Sequence, residues 1–145
     1  MRFIGFEREE DAEVWARKKL RLESEPEFFR AMAAVDENDG FVCVVVMTNF
    51  TSRNVDLNIA INSRKVTPRG AIEMFNGVFG FLFDKLHVAR VTGLTKGKNE
   101  RAKRLNEHFG FKLEGVMRDA FVDDDLHIYG FLAKDYYSHA WRRGT

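Results

Sequence analysis

The chain has a single cysteine, Cys43, and only 2 prolines among 145 residues. One cysteine excludes an intramolecular disulfide framework and a zinc site built on several thiolates. Cys43 stands in the apolar run 41–47 with no basic residue beside it, so it reads as a small buried hydrophobe rather than a reactive thiol. An excess of one charge is also lacking. The formal net charge is +1, which gives no global field drawing the protein to nucleic acid or membrane. Any anion site must be local. No apolar stretch approaches the ~20 residues of a membrane span, and residues 1–6 run into acidic sequence without a signal-peptide profile. The expected location is cytoplasmic. What is present fits a globular domain: 45% hydrophobic and 31% charged residues. The length suits one domain, 1–145. Phe is frequent, at 14, and predicts an aromatic-rich core.

Periodicity orders the chain into alternating elements. Residues 2–6 alternate weakly, as an edge strand does. Residues 9–22 are helical, with Ala12, Trp15, Ala16, Lys19 and Leu20 at three-four spacing. Pro26 restarts the chain. Asn38-Asp39-Gly40 is a hairpin turn, so 31–35 is read as a strand paired with 41–50. The run 41–47 is apolar on both faces and predicts a strand covered on both sides. Residues 55–61 alternate. Residues 68–86 form a long helix with Ile72, Phe75, Phe79, Leu82, Phe83 and Leu86 on its buried stripe. A strand (88–95), a helix (99–109), strands 112–122 and 126–132, and a terminal helix (136–143) follow. The strand–helix–strand segment after residue 55 implies a parallel pair inside a mixed, mostly antiparallel sheet. Asp123-Asp124-Asp125 lacks the spacing of a calcium loop and reads as a turn; no metal site is expected.

Two helix starts read either as anion sites or as capped helices with solvated basic residues. Thr67 is a good N-cap and Pro68 suits the first helical position. Gly70 removes bulk in the first turn. A helix N-terminus offers unpaired N–H groups and partial positive charge, and Arg64, Lys65 and Arg69 add cations to the same turn. Asn99 caps the second helix, within a basic cluster of Lys96, Lys98, Arg101, Lys103 and Arg104. That cluster reads equally as a solvated face.

The order strand 91–95, Asn99-x-x-Ala102-x-x-Leu105 helix, Gly110-Phe111, then Glu114-Gly115-x-x-Arg118 strand resembles the C-terminal half of the GNAT superfamily of N-acetyltransferases. The likeness is to the ribosomal-protein N-terminal branch and to small bacteriophage-encoded members. The resemblance implies an α/β (α+β) fold with helices on both faces of the sheet and a splayed parallel strand pair. It also implies acetyl-CoA as co-substrate. Ile59, Ala60 and Ile61 are then expected to pair with the pantetheine arm, which Asn99 also reaches. The pyrophosphate is expected at Arg64, Lys65, Val66, Thr67, Arg69 and Gly70, in a loop with fewer glycines than the family pattern. The adenosine 3′-phosphate is expected at Lys103 or Arg104.

The implied reaction moves acetyl to a primary amine by direct attack. It needs a route for the amine proton, an oxyanion donor and a proton for the departing thiolate. The position of the family's tyrosine acid is Asn106 here, so Tyr129 is the candidate acid and Asp56 the candidate base. His127 and a water chain are alternatives. Expected partners are an amine acceptor (protein N-terminus, lysine or small molecule), with the protein a monomer or homodimer. A non-catalytic binding module on the same fold stands beside this reading. Nucleic acid is disfavoured by the near-zero charge.

Overall fold

The computed structural model describes residues 1–20, 29–62 and 64–138. Pro26, the last two residues of the first expected helix and the 139–143 part of the last one lie outside them. The strands are β1 (Arg2–Gly5), β2 (Arg30–Val35), β3 (Phe41–Thr48), β4 (Asn54–Ile61), β5 (Arg90–Lys96), β6 (Lys112–Phe121) and β7 (Asp124–Leu132). The helices are α1 (Glu9–Leu20), α2 (Pro68–Phe79), α3 (Glu100–His108) and α4 (Ala133–Ser138). The strands form one 7-stranded sheet in the order β1-β2-β3-β4-β5-β7-β6. Every neighbouring pair is antiparallel except β4–β5, which is parallel. The expected mixed α/β sheet is what forms.

A hydrophobic layer covers each face. Ala12 and Ala16 of α1 pack on Ala31, Ala33, Val44, Val46 and Ala60. Small residues let this helix lie close to the sheet. The other face is aromatic: Phe75 stacks on Phe109 at 3.7 Å between ring centroids, and Phe131 lies 5.0 Å from both Phe79 and Phe111. Strand β3 is buried along almost its whole length, as an apolar run between two layers must be.

The long helix departs from its expected course. Met74 and Val78 join Phe75 and Phe79 in the core, while Ile72 is only half-buried. After Phe79 the helix widens into a π-helical turn, Gly80–Lys85, where the Leu86 N–H donates to the Phe81 carbonyl at 3.0 Å. The wider turn changes the helical phase, and Leu82 and Phe83 stay buried through it while Leu86 is partly exposed. Gly77 has no side chain because Phe3 of β1 occupies the place of its Cβ.

Candidate active site

The parallel pair opens partway along. The β4–β5 register runs from Asn54↔Arg90 to Leu57↔Gly93 and stops. Beyond it β4 pairs only with β3, and β5 only with β7. The facing edges therefore carry backbone N–H and C=O groups without a ladder partner, a ready template for an extended ligand. A cavity of about 240 Å³ fills the opening.

Residues from both faces of the sheet line it. Alternation puts Leu57, Ile59, Gly93 and Thr95 towards α2 and α3, and Asn58, Leu94 and Lys96 towards α1. Helix α3 adds Asn99, Ala102 and Asn106; the end of α1 adds Lys19 and Leu20; the β6–β7 hairpin adds Phe121 and Leu126. The opening thus passes through the sheet. Asn106 is buried and donates from Nδ2 to Thr95 Oγ1 at 2.9 Å. That bond turns its carboxamide towards the sheet. Asn99 caps α3, its Oδ1 accepting from the Ala102 N–H at 3.1 Å, and lines the cavity at once.

A second, more open groove of about 350 Å³ lies between the end of β4 and α3, lined by Ile61, Val66, Arg101, Arg104, Leu105 and His108. Close by in the chain, Thr67 Oγ1 accepts from the Gly70 N–H at 3.0 Å and starts α2. Gly70 is buried beneath Met1, whose Cγ would stand 2.7 Å from an added Cβ. The glycine thus makes room for the chain's own first residue.

The expected site residues separate into groups. Ile59 lines the cavity and Ile61 and Val66 the groove, whereas Ala60 is buried against α1. Arg64 is exposed on the turn. Lys65 donates to Asp36 Oδ2 at 2.6 Å. That bond, with the N–H groups of Gly40 and Asn38, holds the Asp36 carboxyl down at about 2. Arg69 is 93% exposed and 3.7 Å from Glu73. Lys103 donates to the Gly97 carbonyl at 2.8 Å and pairs with Glu100 at 3.0 Å, while its neighbours Arg101 and Arg104 line the groove.

Neither candidate for proton transfer is among the cavity's lining residues. Asp56 Oδ1 accepts from Asn54 Nδ2 at 2.8 Å and Oδ2 from Asn49 Nδ2 at 3.2 Å. It sits level with Thr92, inside the paired part of β4. Tyr129 is buried one strand away, opposite Gly93. Burial raises its phenol above the ordinary value, and the charge of Glu107 adds to this. His127 pairs with Thr95, and its Nδ1 is buried without a hydrogen bond among the described residues. The described lining holds amides, a hydroxyl and two ammonium groups, but no carboxylate, imidazole or phenol. Sequence reasoning did not find Asn58, Phe121 or Leu126. Lys19 left a trace: it is a lysine in the apolar stripe of α1.

Comparison with known proteins agrees with this geometry. The family described as "Acetyltransferase (GNAT) domain" matches residues 1–112. No curated protein sequence matches the chain. Among solved structures, a GCN5-related N-acetyltransferase from Brucella melitensis superposes with TM-score 0.69 at 19% identity, covering 92% of this chain and 62% of that one. A dodecameric spermidine N-acetyltransferase from Vibrio cholerae gives 0.66 at 18% identity, covering 90% and 78%. A GNAT-family acetyltransferase from Bacillus anthracis gives 0.60 at 14% identity, covering 72% and 66%. The chain therefore spans less than two thirds of the Brucella and Bacillus proteins. The sheet that opens between parallel β4 and β5 and the sequence match over 1–112 lead to one conclusion: the chain belongs to the GNAT acetyltransferase family.

Proposed function

We propose that the protein transfers an acetyl group from acetyl-CoA to a primary amine by direct attack in a ternary complex. The observation that carries this reading is the cavity lined from both faces of the sheet where β4 and β5 part, because two substrates can then meet without displacing each other. The unpaired edge of β4 at Ile59 offers backbone bonds to an extended pantetheine arm. The α2 N-terminus with Arg64 and Arg69, and the groove with Arg101 and Arg104, offer positive charge to its phosphates. Lys65 is ion-paired with Asp36, which offsets its charge and leaves this role to the arginines.

Bound acetyl-CoA supplies the activated thioester. The chain's own residues have the remaining tasks. A backbone N–H of the 57–60 segment is the oxyanion donor. Asn106 and Asn58, neutral and hydrogen-bonding, orient the reacting groups. Asp56 takes the amine proton through water, since its carboxylate stands outside the cavity. Tyr129, protonated at neutral pH, is the acid for the thiolate, with only the side-chain-free Gly93 between its strand and the cavity. The acceptor classes are a protein N-terminus, a lysine side chain and a small amine, spermidine included. The Glu114-Gly115-x-x-Arg118 segment supports placement in the branch shared by ribosomal-protein N-terminal and phage-encoded enzymes.

The test is calorimetric titration with acetyl-CoA and with CoA, followed by mass-resolved transfer to an amine panel. Micromolar binding with an acetylated product supports the proposal. A lining without carboxylate, imidazole or phenol favours one second reading, a non-catalytic module that keeps CoA. Binding without transfer to any amine would select it.

A further inference from the structure

Positive charge lines the cavity on the side away from the phosphate groove. Lys19 closes α1, and Lys96 ends β5 on the α1-facing side of the strand. Both line the cavity together with Leu20, Phe121 and Leu126. Arg101 and Arg104 line a separate groove beside α3, so the negative charges of a CoA molecule have other partners. The two lysines are left over.

Each lysine stands near an aromatic ring. Lys96 Nζ stands 4.9 Å from the Phe121 ring centroid, and Lys19 Nζ 6.0 Å from that of Trp15, positions that favour a cation. Among the described residues neither makes an ion pair. Among the described residues, the carboxylates of Asp124 and Asp125 at the β6–β7 turn point their oxygens at backbone N–H groups. Asp124 accepts from the N–H groups of Lys98 and Asp125, and Asp125 from that of Asp119 at 2.7 Å. Two like charges around a partly apolar cavity attract an anion and repel a second cation.

We infer that the acceptor carries an anionic group close to its amine, as an acidic N-terminal peptide does, and that Lys19 and Lys96 bind that group. The inference rests on the acetyltransferase reading and narrows its acceptor. Leu20, Leu94 and Leu126 hold the carbon skeleton between amine and anion, and the lysines discriminate against polyamines.

The experiment compares kcat/KM for the tetrapeptides Ser-Glu-Glu-Ala and Ser-Lys-Lys-Ala and for spermidine, with acetyl-CoA affinity measured in parallel. The acidic peptide should lead by about tenfold or more, on the order of one well-placed charge pair. Lys19→Glu with Lys96→Glu should erase or invert that lead and leave acetyl-CoA affinity unchanged. Lys19→Gln with Lys96→Gln, a milder change, should reduce it. A wild-type preference for spermidine or the basic peptide overturns the inference, as does an acidic preference that neither double variant alters. Transfer to no amine, with no acetyl-CoA binding, overturns the acetyltransferase reading and this inference with it.

Discussion

Glu114 reaches Arg90 by crossing the backbone of Gly130, where a Cβ would meet its carboxylate. The pair is bidentate, at 2.6 and 3.3 Å, and partly shielded from water. Gly130→Ala should therefore push Glu114 off Arg90 and cost roughly 1–2 kcal/mol, the scale of a lost ion pair with local strain; urea unfolding measures it. Glu114→Ala in the same chain should recover part of the loss, because it removes the collision. Two further residues are tested by turnover. Asp56→Asn should lower kcat with acetyl-CoA affinity intact, and a full rate across the pH range returns Asp56 to its bonds with Asn49 and Asn54. Tyr129→Phe should slow turnover while the fold holds, since the ring fills the same core space. An unchanged rate makes Tyr129 a packing residue.

Each helix start is an element to which the proposed function assigns ligand affinity. Arg69→Glu reverses a charge at the α2 N-terminus, where a glutamate still suits the helix dipole. The variant should fold normally yet bind acetyl-CoA several-fold more weakly; equal affinity by calorimetry would place the phosphates elsewhere. The turn before α2 is tied to the β2–β3 hairpin through Asp36 and Lys65. Asp36 is depressed from 3.8 to about 2 in the folded chain. Its contribution to stability is complete above about pH 4 and disappears as pH falls through about 2. The stability gap between wild type and Asp36→Asn should accordingly close over that window in acid titrations. Most of these elements were legible in the sequence, because alternation in β4, the apolar run of β3 and the Thr67-Pro68 start are local signals. The π-helical turn was not, since nothing local in Gly80–Lys85 distinguishes a wider turn from an α-helical one; packing of Leu82 and Phe83 against the sheet accompanies it. The groove beside α3 was half legible. The basic cluster was visible, but only the rotation of α3 about its axis separates Arg101 and Arg104 from Lys103, which turns to Gly97.

At the scale of the molecule, the sheet order decides how the site is built. With β7 inserted between β5 and β6, the β6–β7 hairpin and the end of α1 meet at one mouth of the cavity, far apart in sequence. Periodicity carries no such information, which is why Phe121 and Leu126 emerge only from the fold and Lys19 left no more than a trace. The passage through the sheet also has a kinetic meaning. On the proposed reaction, a molecule entering from the α3 side leaves the α1 side to the other substrate, and the reverse holds. Under that proposal neither substrate has to precede the other, and neither product traps its companion. Initial-rate plots against both substrates should intersect, and each product should inhibit competitively against its own parent alone. A compulsory order, with acetyl-CoA always first, would mean that the second doorway is assembled only after the first is filled.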